Sequence, residues 1–211
     1  MCKLNLLLFT LLACGLALPR LGQAQFNNYY TPGTYALASD SLQPLTGQLR
    51  LKSQRELVVI TPAGHKLKFG PKEVNCFQIG SRSYTVVRNL VVAQGSRVRE
   101  IQEAFAERID SGCITLWRYS HLWNTGGEWL FLYRYSLSFY LAAGIGSHLI
   151  AIHDRGNPDY FRQQVLPLLQ QRPDLIRLLN EGRITYANLP AAIRAINTNT
   201  TFISPAAPNM K

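Results

Sequence analysis

An α+β fold, mainly antiparallel β-sheet with one internal helix and a C-terminal helical segment, follows from three patterns in this sequence. Short apolar runs alternating with charged residues fill the first half of the chain. A stretch near the middle changes to helical spacing. The last quarter opens repeatedly on Pro next to Asn, Asp or Leu. Period-two alternation marks a half-buried strand, and a period near 3.6 marks an amphipathic helix.

The chain opens with one cation, Lys3, then an apolar run from Leu4 to Leu18 ended by Pro19 and Arg20. Small residues at Gly22 and Ala24 give a cut after Ala24, the plan of a secretory signal. The run falls short of the roughly 20 residues that a membrane-spanning helix needs. A second processing plan competes with it. Leu11-Leu12-Ala13-Cys14-Gly15 has the form of a bacterial lipobox, in which Cys14 is lipidated and becomes the mature N-terminus. The expected location is periplasmic or extracellular under the first plan and membrane-tethered under the second.

Residues 25–33 read as a flexible lead-in ending in a Pro-Gly turn. A single α+β domain is expected over 34–198, β-rich from 34 to 153 and helical from 157 to 197, followed by a tail over 199–211. Strands are expected over Thr34–Ala38, Gly47–Lys52, Leu57–Thr61, Lys66–Phe69 and Ser81–Leu90. Leu49 and Leu51 alternate with Arg50 and Lys52, and Leu67 and Phe69 alternate with Lys66 and Lys68. This gives one buried face and one wet, basic face. Pro62-Ala63-Gly64 is the hairpin turn between two of these runs.

Ser96–Asp110 reads as the internal helix. Ile101, Ala104, Phe105 and Ile109 fall on one helical face, with Glu100, Glu103 and Glu107 opposite. On that reading Glu103 and Glu107 are solvated. Ile114–Ala143 reads as a hairpin centred on Gly126, because Leu116-Trp117-Arg118-Tyr119-Ser120 recurs as Leu132-Tyr133-Arg134-Tyr135-Ser136. Apolar strands continue to Ile152 around Gly144 and Gly146. Asn157-Pro158-Asp159 starts a helix to about Gln171, interrupted near Pro167. Further helices run from Pro173 to Gly182 and from Leu189 to Asn197.

Hydrophobic residues make up 47% of the chain, enough for a packed core. The formal charge of +10 includes Lys3 and Arg20, so loss of the signal leaves +8. That surplus favours an anionic envelope component as partner, or another envelope protein. The cations are scattered rather than clustered, and an exported protein meets little nucleic acid, so nucleic acid is disfavoured. Membrane contact is expected only if Cys14 is lipidated. Cys76 and Cys113 survive signal removal. A bridge between them would close a loop of about 38 residues and stabilise the fold by about 3–4 kcal/mol; two separate thiols are the other reading. Neither cysteine stands in a metal-binding or redox spacing, and no cofactor motif is present.

Four residues are candidates for ligand binding. Trp123 and Trp129, beside the hairpin turn, are the aromatics best placed for exposure. The rest of the odd-numbered row, including Trp117 and Tyr119, is expected to pack as core under the helices. Arg118 and Arg134 face each other in a hairpin centred on Gly126. Like charges directly opposite repel, so an anion or an internal acid such as Glu128 or Asp154 should lie between them, unless a different hairpin register sets them apart. No catalytic or metal set is assigned. His148 and His153 fall on opposite faces of a strand, and Gly144-Ile145-Gly146-Ser147-His148 departs from the esterase elbow.

Two stretches carry a family resemblance. Tyr30-Thr31-Pro32-Gly33 with Leu45-Thr46-Gly47-Gln48-Leu49, and Pro173-Asp174-Leu175 with Tyr186, Leu189, Ile193 and Asn197, resemble a group of uncharacterised exported bacterial proteins. The resemblance implies an early β region and a short helical tail, and transfers no activity. The functional expectation is a secreted or envelope module that binds or scaffolds and is not an enzyme. An exported hydrolase using Ser147 with a histidine, or a basic module for an anionic envelope polymer, are the alternatives.

Overall fold

The computed structural model describes residues 29–94, 97–124, 134–144, 148–153 and 156–203. Ten strands form one antiparallel sheet: β1 Thr31–Leu37, β2 Leu45–Ser53, β3 Glu56–Ile60, β4 Lys66–Phe69, β5 Val74–Ile79, β6 Arg82–Gln94, β7 Arg97–Asp110, β8 Ile114–Asn124, β9 Arg134–Gly144 and β10 Ile150–Ile152. Helices α1 Pro158–Val165, α2 Pro173–Asn180 and α3 Leu189–Asn197 follow, with a 3₁₀ turn at Leu166–Leu169. The strand order is β10-β9-β8-β7-β6-β5-β1-β2-β3-β4. Among the described strands, only the β1–β5 pair joins two that are not consecutive in the chain.

Among the described residues, three apolar cores hold this sheet. The first gathers Tyr35, Leu49, Leu51, Leu57, Val59, Val74, Phe77, Tyr84 and Phe105 on the inner face of β1–β3 and β5–β7. The sheet curls over it, and the β2–β3 turn reaches β7, where the Phe105 amide donates to the Gln54 carbonyl at 2.8 Å. The second core lies on the same face further along. There Ile114, Leu116, Ala142 and Ile152 meet the apolar sides of the three helices. The third lies on the opposite face and holds Val87, Leu90, Ile101, Ala104, Tyr119, Phe139 and Leu141.

The third core exists because the sheet folds on itself. The β7–β8 ladder is confined to Glu107–Asp110 against Leu116–Arg118. Beyond it two long hairpins diverge, β6 with β7 and β8 with β9. Their facing sides close on Tyr119 and Phe139, whose rings lie 5.2 Å apart.

Several expectations hold. The Pro62–Gly64 turn joins β3 to β4, with Gly64 at φ 83°. Asn157 caps α1 by accepting from the Asp159 and Tyr160 amides at 3.0 and 3.2 Å, and α3 spans Leu189–Asn197.

The internal helix expected over Ser96–Asp110 is strand β7. Its apparent helical stripe serves three different cores: Ile101 and Ala104 enter the third, Phe105 the first, and Ile109 packs against the second. A bend produces the spacing. Asn89 on β6 sits at φ 52°, a region that Asn tolerates better than most residues. Val87 and Leu90, three apart, therefore share one core, and their ladder partners Ala104 and Ile101 share it too.

The lead-in also needs correction, because Pro32 and Gly33 belong to β1. The β1–β5 ladder starts at Gly33 opposite Ile79, so the amide that Pro32 lacks is not required there. A Cβ on Gly33 would collide with the Gln78 carbonyl oxygen. Strand β5 was not expected; its inward residues Val74, Phe77 and Ile79 lack strict alternation.

Candidate functional site

The strand registers place one continuous row of residues across the inner face. Tyr84 pairs with Glu107, Glu107 with Arg118, and Arg118 with Tyr140. Apolar cores flank the row on both sides, so its centre is a charged seam. Glu107 is only 6% exposed, which overturns the solvated reading of that carboxylate. Arg118 donates Nη2 and Nε to Glu107 Oε2 at 2.6 and 3.2 Å. Arg82 Nε stands 4.0 Å from the other carboxylate oxygen. Burial, with the charge of Glu107, pushes the Tyr84 hydroxyl up to about 12, against the opposing pull of Arg82 and Arg118. Burial also raises Tyr140, whose ring lies 4.8 Å from that of Tyr186.

The expected Arg118–Arg134 juxtaposition is not formed. The hairpin register sets Arg118 opposite Tyr140 and Arg134 opposite Asn124. The repeat in the sequence therefore does not mark the hairpin's centre, and the acid beside Arg118 comes from β7. Strand geometry separates the two arginine positions by roughly 20 Å, six residues along the hairpin. Trp123 lies opposite Tyr135 on the same arm. Trp129, Glu128, Ser147, Asp154 and Cys14 lie outside the described residues. Tyr119 does pack as core and Trp117 lies half-buried against it, but on the side of the β6–β7 hairpin; the helices cover the other face of β8.

Cys76 and Cys113 are free and exposed. Cys76 aligns through Thr85 with Ala106, two strands away, while Cys113 lies beyond the end of β7. Their separation far exceeds the roughly 7 Å limit for a disulfide, so the bridge is not made. His148 is exposed, whereas His153 is buried against Phe139 with ring centres 4.4 Å apart. The two do not converge. Among the described residues no group of three or more His, Cys, Asp and Glu gathers as a metal site. A cleft of about 380 Å³ lies beside the start of α1, with Phe161, Leu179, Ile184, Tyr186 and Arg162 among its lining residues.

A second charged feature occupies the outer face of β2–β4. Leu49, Leu51, Leu57 and Val59 point into the first core, so alternation turns Arg50, Lys52, Val58 and Ile60 outward. Lys68 pairs with Val58 and Lys66 with Ile60, on that same face. Val58 is nonetheless 1% exposed. Arg50 and Lys68 flank it in register, Lys68 exposed and Arg50 half-buried. Glu56 bridges Lys52 at 3.0 Å and Lys68 at 3.9 Å. Arg50 lies over the Tyr30 ring, 4.9 Å from its centre. The alternating pattern of the sequence had marked this face as wet and basic. The register that groups its cations was not legible there.

Comparison with known proteins returns no matching family model, no similar curated protein and no similar solved structure. Among the described residues no helix is long and apolar enough to cross a membrane.

Proposed function

We propose that the protein is an exported envelope or secreted module that binds or scaffolds rather than transforming a substrate. One observation carries this reading: charge is divided between the two faces of the sheet. On the inner face Glu107 and Asp110 hold Arg118 and Arg194 in ion pairs that join strand to strand and strand to helix. These groups are engaged in the fold. On the outer face Arg50, Lys52, Lys66 and Lys68 stand together toward solvent with one acid, Glu56, among them. Concentrated surface charge attracts an oppositely charged partner without any bond being made or broken.

The N-terminal apolar run and the small residues before Ala24 support export. Lipidation at Cys14 would present the same module at a membrane. Resemblance to exported bacterial proteins at both ends of the mature chain agrees with either route.

The test is sedimentation of the purified mature chain with isolated cell envelopes, with the supernatant assayed for released fragments. The expected result is retention at low salt, elution at high salt, and no fragment release. A chain that stays in the supernatant at low salt overturns the binding reading. Continuous release of envelope fragments would establish the hydrolase instead.

A further inference from the structure

We infer that the outer face of the sheet binds an anionic polysaccharide, laid across the strands from the β4 edge toward Trp117. The inference rests on the binding reading above and names its surface and its partner.

The cations are not explained by protection of a sheet edge. Lysines on an edge strand do discourage unwanted strand pairing, and β4 is an edge. Arg50 and Lys52, however, stand on β2, which has a partner on each side. Arg50, Val58 and Lys68 form one cross-strand row. Their backbones are about 4.8 Å apart from strand to strand, comparable with the length of one sugar ring. Arg50 is also held in orientation: it rests on Tyr30, and its Nε is buried without a hydrogen-bond partner in the structure.

On the same face a polar track begins four residues along β2 from Arg50, about 13 Å away. Thr46, Thr34, Gln78, Ser83, Arg108 and Trp117 are successive register partners across β2, β1, β5, β6, β7 and β8. None of the six is fully buried. Arg108 donates to the Ser83 hydroxyl at 3.3 Å, and the Trp117 indole N–H is fixed on Thr85 Oγ1 at 2.8 Å. Hydroxyl, amide and guanidinium groups in a line suit a hydroxyl-rich chain, and a partly open indole suits a sugar face. A lipid surface asks for apolar insertion beside the cations, and single-stranded nucleic acid asks for repeated stacking rings. The track offers mainly polar side chains. The partner's class is therefore a glycan bearing carboxylate or phosphate groups.

The experiment measures retention of the mature chain on four matrices: polygalacturonate, a polyol-phosphate polymer, neutral dextran, and vesicles of anionic phospholipid. The variants are Lys66→Glu with Lys68→Glu, Arg50→Gln alone, and a control of equal charge change on the helical side, Arg177→Glu with Arg183→Glu. Circular dichroism checks that each folds. The expected result is salt-sensitive binding to one or both anionic glycans, with the anionic matrix preferred showing whether carboxylate or phosphate is read, and none to dextran. The lysine double variant should lose about tenfold or more, and the helical control little. Equal loss in the control, tighter binding to vesicles, or no binding to either glycan overturns the inference. If wild type and the lysine variant sediment alike with whole envelopes, this surface is wrong while the binding reading stands. If wild type does not sediment at all, the binding reading itself fails.

Discussion

Tyr84 stands where an apolar core meets a buried ion pair. It stacks on Phe77, ring centres 4.7 Å apart, and is 1% exposed. Ionising it would place a second negative charge beside Glu107. Burial first, and the Glu107 charge second, raise its folded value from 10.0 to about 12. Below pH 10 the phenol is protonated in folded and unfolded chains alike, and its stabilising effect is whole. Between pH 10 and about 12 only the unfolded chain ionises, and about 2–3 kcal/mol of stability is lost across that window. Urea midpoints measured at about pH 9 and pH 11.5 should show this fall, and Tyr84→Phe should reduce it. An equal fall in that variant would mean that other groups carry the effect. None of this was legible in the sequence, where Tyr84 is one aromatic among many and its partner Glu107 reads as a helix-surface acid. The energetic weight of both comes from a register that joins β6, β7 and β8.

Elements whose signals are local were legible. Asn157 before Pro158 caps α1, Pro173 opens α2, and Gly64 supplies the positive φ of the β3–β4 turn. Elements whose signals are tertiary were not. Strand β7 passes three cores, so its apolar residues follow a bend and a fold in the sheet instead of strict alternation. The two arginines of the repeated hairpin motif misled for a similar reason, since register is set by the packing of a whole face. Gly33 shows how strict such packing can be. It faces Gly47 on one side and lies against the Gln78 carbonyl on the other. Gly33→Ala should cost about 3 kcal/mol or more by overpacking, read as a lowered urea midpoint. A cost below 1 kcal/mol would mean that β1 and β5 can move apart.

At the scale of the whole molecule, α3 is fastened to the sheet by a polar clamp, and Gln164 of α1 adds a bond from the His153 amide at 2.9 Å. Asn197 at the end of α3 accepts from the Ile114 amide at 2.9 Å, and donates to the Ile114 carbonyl and to Asp110, both at 2.8 Å. Arg194 adds a bond to Asp110 at 2.9 Å. Gly112 leaves room for this, since a Cβ there would stand 2.6 Å from the Asn197 side chain. Burial alone would raise the Asp110 carboxyl, but the bonds from Asn197 and Arg194 prevail and hold it below its ordinary value of 3.8. Its contribution is therefore present above that value and fades as pH falls through the lower folded one. Asn197→Ala strips the Ile114 amide and carbonyl of this partner and should cost about 2–4 kcal/mol, measured by thermal or urea unfolding. An unchanged midpoint would show that the apolar contacts of α3 suffice.

The strand order has a consequence in time. Nearly every strand pairs with a neighbour in the chain, so a hairpin can close as soon as its second strand is free to fold. Strand β1 is the exception, because β2 covers one of its edges while the other belongs to β5. That second edge stays open until Val74 to Ile79 are in place. During this interval Tyr35 and the Pro32–Gly33 segment lie beside an open strand edge. Among the strand pairings described, the slow one is then the β1–β5 seam, which must span the β2–β4 excursion.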